Sequence, residues 1–156
     1  MRKLKIYLDT SVWNFFFADD APEKKEITLS FFNEISQYDI YTSAIVIEEI
    51  SRASTEKKKL LLDLVKKFSP ILLNPDVEIE RLAGLYQSRG IIPLKETDDA
   101  LHIGYSTFYE LDILLSWNYK HLANLQKKQK IAIVNLEEGY HKPLEIITPY
   151  EVIGNE

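Results

Sequence analysis

The chain has 156 residues, which sets an expectation of one domain over positions 1–156, and its 46% hydrophobic and 28% charged residues match a folded globular protein rather than a disordered or fibrous one. A formal charge of −5 excludes a chain that coats nucleic acid through bulk positive charge, so any phosphate contact must be local. The absence of cysteine removes disulfides, thiolate metal sites and cysteine nucleophiles together, and is compatible with a cytoplasmic location.

At the amino terminus, Leu4 to Leu8 reads as a first strand, and its apolar stretch is cut by Asp9 before the core of a signal peptide is complete. Helices are predicted over Ser11 to Phe17, Glu23 to Gln37, Ser43 to Ala53, Glu56 to Phe68, Asp76 to Arg89, Asp98 to Tyr109 and Tyr119 to Lys128. Between them, short apolar strands are predicted at Asp39 to Thr42, Ile71 to Leu73, Ile113 to Ser116 and Ile131 to Val134. Short apolar strands separated by helices are what a parallel sheet covered on both faces requires, so the expected class is α/β with three layers. No apolar run reaches the roughly 18 residues that a bilayer-spanning helix needs, so no membrane association is expected. In a sheet of this kind ligands bind beyond the carboxyl ends of the strands, where the connection order reverses.

The five glycines, at 84, 90, 104, 139 and 154, cannot write a dinucleotide or P-loop phosphate cradle. His102, His121 and His141 are too far apart for a compact metal motif and read as packed or surface histidines. Polar residues at element ends remain. Asp9, with Thr10 and Ser11, suits either a helix cap or a rigidly held oxygen ligand. On the third helix, at about 100° per residue, Glu49 borders the apolar face while Glu48 points nearly opposite to it. Asp98 and Asp99 open a later helix, where the helix dipole favours acids, and periodicity does not choose between them. Asn118 follows a strand and suits a helix cap.

The order L-D-T-S, S-A-I-V-I-E-E-I, D-A-L-H and L-L-S-W-N-Y-K-H-L along nearly the whole chain resembles the PIN-domain family, in particular the VapC-like ribonucleases. The resemblance implies a PIN-like α/β/α sandwich with a short central parallel sheet, an acidic cluster holding Mg²⁺ or Mn²⁺, cleavage of RNA, and an antitoxin protein as partner. Carried onto this chain, Asp9, Glu49 and Asp99 correspond to the family's acids and Ser11 to its hydroxyl residue near the metal. Asn118 stands where many members have a further aspartate, which implies one firmly held metal and a second only with substrate. A non-catalytic nucleic-acid or protein-binding module is the alternative. A phospho-acceptor signalling domain is disfavoured, because Asp9 is followed by Thr10 and Ser11 rather than by a second acid.

Two like charges about 4 Å apart repel by around 4 kcal/mol at an effective dielectric near 20, so an empty acidic cluster raises its own pKa values and a divalent cation relieves it. From Ile113 to Leu136 no acid occurs, while Lys120, Lys127, Lys128 and Lys130 do. Lys120 is the expected phosphate contact, with His121 beside it, and Trp117, Trp13 or Tyr119 are candidates to stack an unpaired base. The run Phe15, Phe16, Phe17 could serve as core, as a homodimer contact or as a groove for a partner helix.

Overall fold

A computed structural model describes residues 2–118, 122 and 124–153. Five strands form one fully parallel sheet: β1 (Lys5–Leu8), β2 (Asp39–Ser43), β3 (Ile71–Leu73), β4 (Ile113–Leu115) and β5 (Glu145–Ile147), in the spatial order β3-β2-β1-β4-β5. Helices α1 (Thr10–Phe15), α2 (Pro22–Asn33), α3 (Ala44–Ser51), α4 (Thr55–Phe68), α5 (Val77–Ser88), α6 (Thr97–Phe108), α7 (Leu125–Glu137) and α8 (Pro149–Ile153) connect and cover it. The result is the expected three-layer α/β/α arrangement. Among the described residues, no helix is long and apolar enough to cross a membrane.

The centre of the sheet explains the short apolar strands. β1 is paired on both edges, with Tyr7 beside Tyr41 of β2 and Leu114 of β4, and Ile6, Tyr7 and Leu8 are all fully buried. Side chains alternate between the two faces of a strand. Tyr7 turns toward α6, its ring 5.4 Å from that of His102 and 6.3 Å from that of Tyr105, and Ile6 and Leu8 turn to the opposite layer. The aromatic run after β1 is packed: Phe16 meets Phe32 of α2 edge-on at 5.2 Å, and Phe15 lies 5.8 Å from Trp117.

Two sequence expectations fail at the carboxyl-terminal end. Ile131 to Val134, expected as a strand, is the interior of α7, with Ile131, Val134 and Asn135 buried and Ile133 56% exposed. A four-residue apolar run is compatible with either element, and the three- and four-residue spacing of the buried positions belongs to a helix. The cap is Asn124, whose side chain accepts from the Lys127 amide at 3.2 Å, so this helix begins later than the Tyr119 to Lys128 expectation. The last strand is instead β5, whose polar Glu145 start hid it. Tyr119 to His121 lie outside the described residues.

α5 and α6 pack closely because Gly104 has no side chain. A Cβ there would stand 2.9 Å from the Ile79 carbonyl oxygen and 3.1 Å from Ile79 Cγ2. Gly104→Ala should therefore destabilise the fold, since overpacking against backbone, about 3 kcal/mol, outweighs the roughly 1 kcal/mol of helix propensity gained. The expected net of about 2 kcal/mol lowers the melting temperature by about 4–8 °C in a chain of this size. An unchanged or higher midpoint in a thermal melt would contradict this packing.

Candidate metal and nucleic-acid site

The sheet order reverses between β1 and β4: from β1 the chain builds outward through β2 and β3, then returns to β4 on the other side. Asp9 follows β1 directly, and its backbone amide donates to the Leu115 carbonyl at the end of β4, at 3.1 Å. The two strand ends are thus stitched together at the point where a doubly wound sheet opens its crevice.

Asp9 is 3% exposed and fulfils the capping role as well. Its Oδ1 accepts from the Ser11 hydroxyl at 2.5 Å and from the Val12 amide at 3.4 Å. Ser11 Oγ in turn accepts the Trp117 amide at 2.9 Å, so the hydroxyl ties the β1 and β4 loops together. Burial raises the Asp9 pKa, and it does so against the lowering effects of His102, Ser11 and Ser116.

Glu49 projects from α3 at the border of the core while Glu48 is exposed, as the helical angles require. Its Oε1 accepts from Thr10 Oγ1 at 2.7 Å and meets His102 Nε2 at 2.6 Å, and among the described residues Oε2 has no hydrogen bond. Burial opposes ionisation of Glu49, but the His102 and Thr10 hydrogen bonds win and its pKa is lowered.

Asp98 and Asp99, equivalent by periodicity, are separated by their partners. Asp98 pairs with Arg52 at 2.7 Å, whereas Asp99 accepts from Asn118 Nδ2 at 3.0 Å. Burial is the main reason that the Asp99 pKa is raised to about 7; the charge of His102 opposes this, and those of Asp9, Glu96 and Glu49 add to it. Charge effects therefore connect the sequence-selected Asp9, Glu49 and Asp99, with Asn118 bonded to Asp99 and Ser11 to Asp9.

Sequence reasoning missed the group that interacts with all three acids. His102, read as a packed or surface histidine, is 1% exposed and lies between Glu49 on Nε2 and the Tyr7 hydroxyl on Nδ1, the latter at 2.7 Å. Tyr7 is also 2.7 Å from Ser43 Oγ. Burial lowers the His102 pKa, but the Glu49 hydrogen bond and the charges of Glu49, Asp9 and Asp99 outweigh it, so the imidazole is shifted toward the protonated form. A signal was available: Asp99 and His102, three apart on a helix, share a face.

Two of the candidate stacking rings are buried. Trp117 is 4% exposed, and its indole nitrogen donates to Thr28 Oγ1 at 2.9 Å, so its ring is committed to packing and does not offer a face for a base. Trp13 is fully buried as well. Lys128 Nζ donates to the Ile146 carbonyl at 2.9 Å. Lys120 lies outside the described residues.

Among the described residues, no three His, Asp or Glu side chains stand in a ready-made ligand arrangement. The donor chemistry nonetheless fits a hard divalent cation: three carboxylates whose charges act on one another, with Glu49 Oε2 unbonded and Glu49 Oε1 held by a histidine proton. Asp9, Glu49 and Asp99 are the residues that would hold such an ion.

The raised pKa of Asp99 gives a signed prediction. Unfolded, the carboxyl titrates near its ordinary 3.8, and folded, near 7. The folded state therefore binds this proton more tightly, and the stability it contributes is complete below the unfolded value and lost as pH rises through the folded one. In chelator, Asp99→Asn should melt above the parent at roughly pH 8, and that advantage should disappear near roughly pH 4. An identical difference at both pH values would show that Asp99 is not held in this environment.

The PIN domain matches residues 6–128 of the chain. No match is found among curated proteins. The matched span runs from β1 into the start of α7 and contains Asp9, Glu49, Asp99 and Asn118. The chain belongs to the PIN domain family, a family of nucleases that act on nucleic acid and generally use divalent metals.

Proposed function

We propose that the chain, as a single PIN-like domain over residues 1–156, is a Mg²⁺- or Mn²⁺-dependent endoribonuclease that acts in the cytoplasm. The observation that carries this reading is the convergence of Asp9, Glu49 and Asp99 at the sheet reversal, with Asp99 pushed up to about 7. Such a cluster is costly without a cation and is matched to one.

A divalent ion bound there would polarise a phosphoryl oxygen and make a water acidic enough to attack at neutral pH. The chain's own residues do the positioning. Asp9 is fixed by Ser11 and the Val12 amide, so its oxygens are presented from the end of a strand rather than from a mobile loop. Thr10 and His102 orient Glu49 through Oε1 and leave Oε2 as its donor. Asn118 orients Asp99 through its amide and, being neutral, cannot serve as the base. With three acids rather than four, these residues would hold one ion firmly and a second only with substrate.

Like the VapC-like ribonucleases it resembles, the protein would act as the toxin of a toxin-antitoxin pair. Its partners are then an RNA substrate and an antitoxin protein, with a second copy of the chain as a further candidate. Lys120, which directly follows the β4 loop in sequence, is retained as the proposed phosphate contact.

Purified protein should cut a mixed-sequence RNA when Mn²⁺ or Mg²⁺ is added and stop on chelation. Asp9→Asn should lower the rate by at least about 100-fold, the upper end for losing even a group that supports a metal ligand. Cleavage that survives both chelator and Asp9→Asn would refute the metal mechanism. RNA bound but left intact with either ion would favour the alternative of a non-catalytic binding module.

A further inference from the structure

Ser43, at the end of β2, is fully buried and caps α3, the helix that carries Glu49, its Oγ accepting the Ile45 amide at 3.2 Å. The same oxygen is 2.7 Å from the hydroxyl of Tyr7, and that hydroxyl is 2.7 Å from His102 Nδ1. His102 Nε2 in turn meets Glu49 Oε1 at 2.6 Å. Side chains from β1, β2 and α6 thus form a circuit that leaves α3 at its cap and returns to it at Glu49. The sheet does not need this circuit. A phenylalanine in place of Tyr7 would fill the same core space beside Tyr105, yet a hydroxyl stands there in a fully buried position, where a polar group is costly unless it is bonded.

The donor and acceptor roles around the ring explain what that hydroxyl does. An ionised carboxylate only accepts, and Glu49 Oε1 already accepts from Thr10, so the hydrogen between Glu49 and His102 belongs to Nε2. Which imidazole nitrogen carries a hydrogen is set by the partner of the other. A backbone carbonyl at Nδ1 would hold a hydrogen there, and a neutral ring would then turn a bare Nε2 to Glu49. A phenol imposes no such choice. Tyr7 donates to a bare Nδ1 and accepts from a protonated one, and Ser43 completes its second bond in both cases, as donor in the first and acceptor in the second. Nε2 therefore points a hydrogen at Glu49 whatever the charge on the ring.

We propose that Tyr7, backed by Ser43, is a positioning residue of the metal site: through Nδ1 it holds the His102 ring with Nε2–H against Glu49 Oε1, and so leaves Oε2 as the oxygen offered to a cation. The role rests on the divalent-cation reading of Asp9, Glu49 and Asp99, whereas the hydrogen-bond arrangement can be read without any metal.

NMR and metal binding test the two parts separately. In the ¹⁵N-labelled full chain without metal, the His102 ring should carry a hydrogen on Nε2, with a proton signal shifted downfield and slow to exchange; a bare Nε2 would overturn the proposal on the parent alone. Tyr7→Phe, checked for folding by circular dichroism, should broaden or lose that signal and weaken Mn²⁺ binding in isothermal titration about tenfold, the lower end for an outer partner of a metal ligand. Tyr86→Phe is the control, because Tyr86 is equally buried but its hydroxyl bonds Asn135 at 2.6 Å and Thr107 at 3.3 Å. It should melt below the parent while keeping both the signal and the Mn²⁺ affinity. An unchanged signal and affinity in Tyr7→Phe would overturn the proposal, as would an equal loss of affinity in Tyr86→Phe, which is what general loosening of the core would give. A parent that shows the Nε2 hydrogen but binds no Mn²⁺ would instead refute the cation reading, and the role of Tyr7 with it.

Discussion

Burial of neighbouring carboxylates, answered by one histidine, is the constraint on which this molecule depends. Asp9 and Asp99 both have raised pKa values, burial being the first cause in each, and each feels the charge of Glu49. His102 answers that charge, bonding Glu49 on one ring nitrogen and Tyr7 on the other. Because Tyr7 sits in the central strand, the counter-charge is anchored in the most deeply buried part of the sheet. On the proposed function, a divalent cation would relieve this arrangement.

Topology makes this possible at low cost to the rest of the fold. A parallel sheet that reverses its order between β1 and β4 leaves an opening at the carboxyl ends of those two strands. The Asp9 amide and the Ser11 hydroxyl span that opening, to Leu115 and Trp117 respectively. The Asp9 side chain also caps α1, so the helix-capping reading of the L-D-T-S segment is compatible with its proposed site role.

Much of this was legible in the chain because it depends on local rules. Helical angles alone separated Glu49 from Glu48, and short apolar strands alone implied a covered parallel sheet. What stayed hidden depends on tertiary partners. Asp98 and Asp99 are told apart by their partners Arg52 and Asn118, which arrive from other elements. His102 acquires its role through Tyr7 and Glu49, 95 and 53 positions away. Ile131 to Val134 misled because a short apolar run looks alike in strand and helix, and Trp117 because an aromatic residue beside a site can be its wall rather than its platform.

The most direct measurement is the proton balance of Mn²⁺ binding, obtained by titration calorimetry in buffers of different ionisation enthalpy. A cation that displaces the Asp99 proton should release about one proton per ion at roughly pH 6 and fewer at roughly pH 8.5, with affinity rising between them. Uptake of Mn²⁺ with no proton release and no dependence of affinity on pH would contradict a site built from mutually repelling, partly protonated carboxylates.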